Sequence, residues 1–243
     1  MIMICKPLKR LAVAGLVTLV PALARAGSYV NFTTYEVPFA IGGVEVGNQV
    51  TLSGNNATCS VTNFSLQLSG NYPSTNDTIE IRFYGVTGGA TNGYAYTPGP
   101  LLFDSGTISL TGLNSAGSIL NLPADGATGD LPVGGVTIFG ETMVFTVQFS
   151  GSDINSNTGT VDLFGPSPSA GANYNEAWVM NDPNVGSPTG WILATNPPGQ
   201  FPYEIGAEVD ATPEPSSQAF FGLAGMAALA FAAFNARRSA AAR

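Results

Sequence analysis

The sequence predicts an all-β protein, an antiparallel β-sandwich of jelly-roll-like form, and three observations carry that prediction. First, apolar and polar residues alternate over short runs, as where Ile79, Ile81 and Phe83 alternate with Glu80, Arg82 and Tyr84. A period of two is that of a strand with one face buried. Second, turn-forming residues punctuate these runs throughout, with 30 Gly and 17 Pro. Third, no stretch between residues 27 and 211 sustains the 3.6-residue period of an amphipathic helix. At 243 residues the chain is long enough for one all-β domain with a full core.

Taken in chain order, strand-like runs lie at residues 29–35, 44–52, 59–68, 79–84, 101–110, 118–122, 133–139, 143–149, 160–164, 177–180 and 191–194. The run at 59–68 opens with Cys59 and Val61. In the run at 143–149, Met143, Phe145, Val147 and Phe149 share one face while Val144, Thr146 and Gln148 share the other, which reads as a half-buried strand. About ten short strands joined by Gly, Asn and Pro turns pack as two antiparallel sheets.

Charge narrows the partners. Only 10% of the residues are charged, against about 25% in an ordinary soluble domain. Lys6, Lys9, Arg10 and Arg25 precede Gly27, and Arg237, Arg238 and Arg243 close the chain, which leaves Arg82 as the sole cation between them. Over residues 27–211 fifteen Asp and Glu stand against that one Arg, a net charge of −14. Phosphate backbones and anionic lipid surfaces are repelled by such a domain, so nucleic acid and peripheral membrane binding are excluded. Divalent cations and neutral polymers remain. Of the two cysteines, Cys5 lies in the leading segment, and Cys59 is expected as a small buried hydrophobe without a disulfide.

The two ends have a different character. A basic stretch at residues 6–10 precedes the apolar run 11–23 and the small residues Ala24 and Ala26, the pattern of a signal helix cut by signal peptidase before Gly27. Near the other end sixteen apolar residues, 219–234, precede Arg237 and Arg238. Extended to about 217–236 this run just spans a bilayer, and the Arg pair sets its C-terminus on the cytoplasmic side. Directly before it stands Thr212-Pro213-Glu214-Pro215-Ser216-Ser217, where two prolines fix φ and exclude helix.

The order Pro213, Glu214, Pro215, Ser216, then a short Gly/Ala/Leu-rich helix, then Arg237 and Arg238 resembles the PEP-CTERM sorting signal. The resemblance implies that an exosortase, a membrane transpeptidase with a Cys nucleophile, recognises the tail and cuts close to the motif. The helix here is less Leu-rich, and residues 239–243 extend past the Arg pair. The expected organisation is a signal peptide at 1–26, an exported β-sandwich at 27–211 and a sorting tail with a single transmembrane helix at 212–243. A looser resemblance covers the exported domain. Strand 79–84, a Gly-rich loop, then residues 98–106, with Trp178 and Trp191 flanking a later loop before 201–209, is similar in order to a common ectodomain of that family. It implies a jelly-roll-like sandwich associated with extracellular polysaccharide or biofilm, and it supplies no catalytic motif.

Candidate chemistry is sparse. The chain contains no His, which excludes Ser-His-Asp and Cys-His catalysis and His-ligated metals. Neither a GxSxG elbow nor a P-loop occurs. Asp153, Asn155, Asn157 and Asp162 form an oxygen-rich series resembling a calcium loop, but its Gly falls one place late and no Glu closes it; a plain turn uses the same residues. Tyr94 and Tyr96 lie in the loop between Gly88 and Pro98, where exposed rings stack on sugars, whereas Trp178 reads as core. Four Asn-x-Ser/Thr sequons, at Asn31, Asn56, Asn63 and Asn76, follow from an Asn- and Thr-rich composition. The expected function is a non-enzymatic exported surface or matrix protein. The alternatives are a carbohydrate-binding module using loop aromatics and a glycosidase with a carboxylate pair.

Overall fold

The computed structural model describes residues 27–32, 36–40, 44–54, 58–69, 72, 76–88, 96–113, 118–151, 160–164, 170–173, 176–180, 190–195 and 204–213. The runs at 1–26 and 214–243, which hold the expected signal segment and nearly all of the sorting tail, lie outside them. Among the described residues no helix is long and apolar enough to cross a membrane. Every strand described is antiparallel to its neighbours, in one compact unit over Ala26–Thr212.

Two eight-stranded sheets form that unit. The first runs β1 (Gly27–Val30), β16 (Ala207–Pro213), β4 (Thr58–Ser69), β11 (Thr160–Phe164) and β15 (Glu204–Ile205); β2 (Glu36–Ala40) joins β11, while β8 (Ser118–Pro123) and β9 (Val136–Phe139) join β4. The second runs β14 (Trp191–Thr195), β13 (Glu176–Met180), β3 (Glu45–Thr51), β10 (Thr142–Ser150), β5 (Thr78–Thr87) and β6 (Thr97–Asp104), with β12 (Ala172–Asn173) on β3 and β7 (Ile108–Ser109) on β5. The ladder β1–β16 pairs Gly27 with Ala211, so the expected first residue of the exported domain stands opposite the last residue before the sorting tail.

The core lies between the sheets and is aromatic at its centre. Phe64 of β4 meets Phe83 of β5 at 5.1 Å and Phe145 of β10 at 5.2 Å between ring centroids, so one side chain of the first sheet seats between two of the second. Burying a side chain of this size stabilises the fold by roughly 1.5–3 kcal/mol. A buried polar crossing adds direction to the contact: Asn48 Oδ1 of β3 accepts the Ile205 amide of β15 at 2.9 Å. Cys59 is buried as expected, its Sγ donating to the Gly140 carbonyl at 3.7 Å.

Several boundaries differ from the sequence reading. Of the run at 29–35 only Tyr29 and Val30 lie in a strand, at the end of β1; residues 31–32 follow it outside any strand and 33–35 lie outside the described residues. Residues 101–110 are interrupted after Asp104, whose Oδ1 accepts the Gly106 amide at 2.8 Å in a local turn with Gly106 at φ 63°. At 133–139 the strand begins only at Val136. Gly135 at φ 87° turns the chain there, and a Cβ on it would lie 2.3 Å from the Val61 carbonyl oxygen. The expectation of a half-buried strand fails most clearly at β10: Val144 and Thr146 are as buried as Phe145 and Val147, because the outer face of the second sheet is covered too.

Candidate functional site

The outer face of the second sheet carries the most concentrated chemistry among the described residues. Alternation determines which side chains are there. Since Phe83 and Phe145 face the first sheet, Arg82, Tyr84, Val144 and Thr146 point away from it. On β3, Val46, Asn48 and Val50 face inward, which turns Glu45 and Gln49 outward.

This face is strongly concave. Trp191 on β14 packs edge-on against Tyr84 on β5, ring centroids 5.1 Å apart at 79°, although β13, β3 and β10 lie between them. On a flat sheet four strand spacings put those strands about 19 Å apart, so the sheet curls until its β14 edge meets β5, the strand next to the opposite end of the row. Tyr84, Val144 and Trp178 form a second buried cluster inside this curl, against which Val86, Trp191 and Leu193 pack. Trp178 is core, as the sequence suggested, but core of this hollow and not of the space between the sheets.

Gly47 permits the curvature. It pairs with Thr146 on one side and Trp178 on the other, and a Cβ there would stand 1.9 Å from the Phe145 carbonyl oxygen and 2.6 Å from Thr146 Cγ2. Only glycine lets β3 come this close to β10.

Next to the aromatic hollow sits an ionic network built on Arg82. Its Nε donates to Asp104 Oδ2 at 2.9 Å, its Nη1 to Glu45 Oε2 at 3.1 Å and Gln148 Oε1 at 3.0 Å, and its Nη2 to Glu80. Glu45 is committed on its other oxygen as well: Oε1 accepts Tyr84 Oη at 2.9 Å and Thr146 Oγ1 at 2.5 Å. Thr107 Oγ1 donates to Glu80 at 3.2 Å. Burial lowers the affinity of the Arg82 guanidinium for its proton, but the Asp104 hydrogen bond and the charges of Glu45, Asp104 and Glu80 outweigh it and raise the value. Burial likewise opposes the Asp104 carboxylate, yet the Arg82 and Gly106 hydrogen bonds and the Arg82 charge hold it below the usual carboxylate range. Burial first, then the Glu45 charge and hydrogen bond, push the Tyr84 hydroxyl well above an ordinary tyrosine.

Two groups on this face stand apart from the network. Gln49 is 0% exposed, and among the described residues neither its Nε2 nor its Oε1 has a hydrogen-bond partner; the indole Nε1 of Trp178 is in the same position. Elsewhere Asn31 Nδ2 donates to the buried Glu204 Oε2 at 3.2 Å, and burial together with the Glu204 charge raises Tyr29 far above its ordinary value.

Of the residues singled out from the sequence, few enter this site. Tyr96 is half-buried just before β6, and Tyr94 lies outside the described residues. Asp162 lies in β11, where its register partner is Pro38 of β2, and Asp153, Asn155 and Asn157 lie outside the described residues. No group of three or more Cys, Asp or Glu able to hold a metal occurs among the described residues. Gly27 opens β1 and Pro213 ends β16, whereas Ala24, Ala26, Glu214, Pro215, Arg237 and Arg238 lie outside the described residues. The sequence reading passed over Glu45, Gln49, Tyr84 and Arg82. Arg82 carried the available signal, since the only cation among fifteen acids, set on an alternating strand, has to collect carboxylates. The fold and this face define an all-β antiparallel sandwich with a second, outward hollow. No protein-family model matches the chain, and no curated protein or solved structure matches it either.

Proposed function

We propose that this chain is an exported, non-catalytic cell-surface or extracellular matrix protein, associated with exopolysaccharide or biofilm and sorted by an exosortase. In this reading residues 27–211 are a jelly-roll-like exported domain between a cleaved signal helix and a tail that holds the chain briefly in the inner membrane. The observation that carries it is the sequence Pro213-Glu214-Pro215 set directly before a marginal apolar span and the Arg237-Arg238 pair. A permanent anchor needs an apolar helix and a basic stop, but not a rigid, extended proline motif outside the membrane. Support for a binding protein over an enzyme comes from the absence of His in the chain and from Glu45, Glu80 and Asp104, all of which are turned onto one guanidinium. The series Asp153, Asn155, Asn157 and Asp162 is read as a turn first and as a calcium loop second, and a melting temperature unmoved by millimolar Ca²⁺ leaves the turn in place.

Intact mass spectrometry tests the sorting reading. Expressed in a host with exosortase, the wild-type chain loses roughly its last thirty residues, the length of motif, helix and basic end. With Pro213, Glu214 and Pro215 all changed to Ala it stays in the inner membrane and ends at Arg243. A wild-type chain that keeps Arg243 in that host makes the tail a plain anchor and removes the sorting claim.

A further inference from the structure

We propose that two copies of this chain join edge to edge along β8, antiparallel about a two-fold axis at Leu120, so that their first sheets become one continuous sheet. The inference uses only the described sandwich and nothing of the sorting tail.

The hydrogen-bond alternation of β4 fixes which way the backbone of β8 points. Gln67 of β4 stands opposite Ile119, yet its amide donates to the Gly206 carbonyl, on the side of β4 away from β8, at 3.0 Å. Thr62, in the alternate series, accepts the Ala124 amide at 3.0 Å. In an antiparallel ladder Phe64 and Leu122, and likewise Leu66 and Leu120, therefore exchange hydrogen bonds, whereas the pairs Ser65 with Asn121 and Gln67 with Ile119 do not. The N–H and C=O of Ile119 and Asn121 thus point away from β4, out of the sheet edge. Pro123 is next in that outward series; it has no N–H, and its carbonyl is taken by the Leu131 amide at 3.0 Å. Among the described residues β8 pairs with β4 alone.

An open edge is a template for another strand, and natural sheets blunt it. Two other edges of this molecule are blunted. β6 carries Pro98 and Pro100 and a shifted register on β5, and along β1 the backbone of Ser28 and Val30 bonds to Ser53 and Ala170. β8 has no such device: it reads Ser-Ile-Leu-Asn-Leu-Pro, without a charge and with Ile119 55% exposed.

The open groups select their own complement. Ile119 and Asn121 offer two donors and two acceptors, and a second β8 laid antiparallel, its Asn121 opposite Ile119, satisfies all four. A shift of two residues in either direction brings in Pro123, which lacks the donor, or residue 117, which lies outside β8. Charge sets the direction. Residues 27–211 carry a net charge of −14, and Asp125 and Asp130 follow the Pro123 end of the strand. Antiparallel pairing puts these acids of the two copies at opposite ends of a joint about 20 Å long, beyond the Debye length of about 10 Å in ordinary salt. Parallel pairing would set them side by side. A contact of this symmetry closes at two copies.

Sedimentation of the full chain in density-matched polyoxyethylene-ether micelles reads the copy number. The wild type is expected to pass from one copy to two as its concentration rises, with no larger species. Ile119→Pro removes an outward N–H and leaves the bonds to β4 intact, and Ile119→Lys sets a charge on the edge. Each is expected to move the midpoint about tenfold higher in concentration, with the melting temperature of Ile119→Lys close to that of wild type. The register has its own readout, taken in chains with Cys5→Ser. Ile119→Cys and Asn121→Cys chains, mixed, place their thiols on facing residues with Cα atoms about 5.5 Å apart, within disulfide reach, whereas two copies of one variant meet only diagonally. The mixed pair should cross-link faster than either variant with itself. The proposal is overturned if the wild type stays single up to about 1 mM, if both Ile119 variants associate like wild type, or if the mixed pair shows no cross-linking advantage. Tail processing is read by mass and is independent of this result, so either reading can fail alone.

Discussion

Arg82 Nη1 lies 3.1 Å from Glu45 Oε2, with the two side chains only 17% and 8% exposed, so the single cation of the sandwich is used to neutralise its best-buried outer-face carboxylate. Removing one partner of such a pair leaves a desolvated charge behind, which is costlier than never having had the pair. Arg82→Met is therefore expected to destabilise the fold by about 3 kcal/mol, read from urea unfolding midpoints at unchanged slope. Adding Glu45→Gln to that variant should recover part of the loss. Arg82→Lys should fall short of wild type, because an ammonium cannot fork to several carboxylates. A wild-type midpoint for Arg82→Met would reduce the network to a surface feature.

Stability should fall at both extremes of pH, for different groups. Tyr29 and Tyr84 bind their protons more tightly folded than unfolded, through burial and the charges of Glu204 and Glu45 respectively. Above pH 10, the ordinary tyrosine value, the unfolded chain begins to lose protons that the folded chain keeps, so stability declines from there upward. Asp104 is the reverse case: its folded value lies below 3.8, so its contribution is present above that pH and is lost as pH drops through the folded value. Absorbance at 295 nm should show tyrosinate from these two residues only on unfolding. Their ionisation in a chain that retains its far-ultraviolet spectrum would contradict the assignment.

Gly47→Ala should cost about 3 kcal/mol, at the upper end of overpacking effects, since its Cβ would stand 1.9 Å from the Phe145 carbonyl oxygen. Gly190→Ala is the control. No atom lies within 4 Å of the added Cβ, and a change within about 0.5 kcal/mol is expected. Equal melting temperatures for the two variants would mean that β3 and β10 do not approach as described.

In the chain from Gly27 onward Cys59 is the sole thiol. Buried, and donating to the Gly140 carbonyl, it should react with a disulfide reagent only at the rate of opening of the fold. Stoichiometric labelling of Cys59 within seconds under native conditions would place it elsewhere.

Strand existence was legible in the sequence because a period of two leaves a direct trace: Ile79, Ile81 and Phe83 all turned out to line the core between the sheets. Boundaries were less legible. Where Gly106 or Gly135 takes a left-handed conformation the chain turns without any change in apolar content, and residues 101–110 and 133–139 read as unbroken. The address at the two ends is a matter of linear pattern, and the sequence alone carries that reading, from Ala24 and Ala26 to Arg237 and Arg238.

The hollow of the second sheet belongs to the tertiary structure. Tyr84 and Trp191 are over a hundred residues apart in sequence, and their 5.1 Å contact exists because a five-strand stretch of sheet curls about the close approach allowed at Gly47. Alternation states that Val144 and Thr146 face away from Phe145; it does not state whether water or other side chains meet them there. That depends on sheet curvature, a sum of small twists over strands paired far apart in the chain. For the same reason Gln49 reads in sequence as an ordinary exposed amide, and only the closed face of the sheet turns it into a buried group in need of a partner.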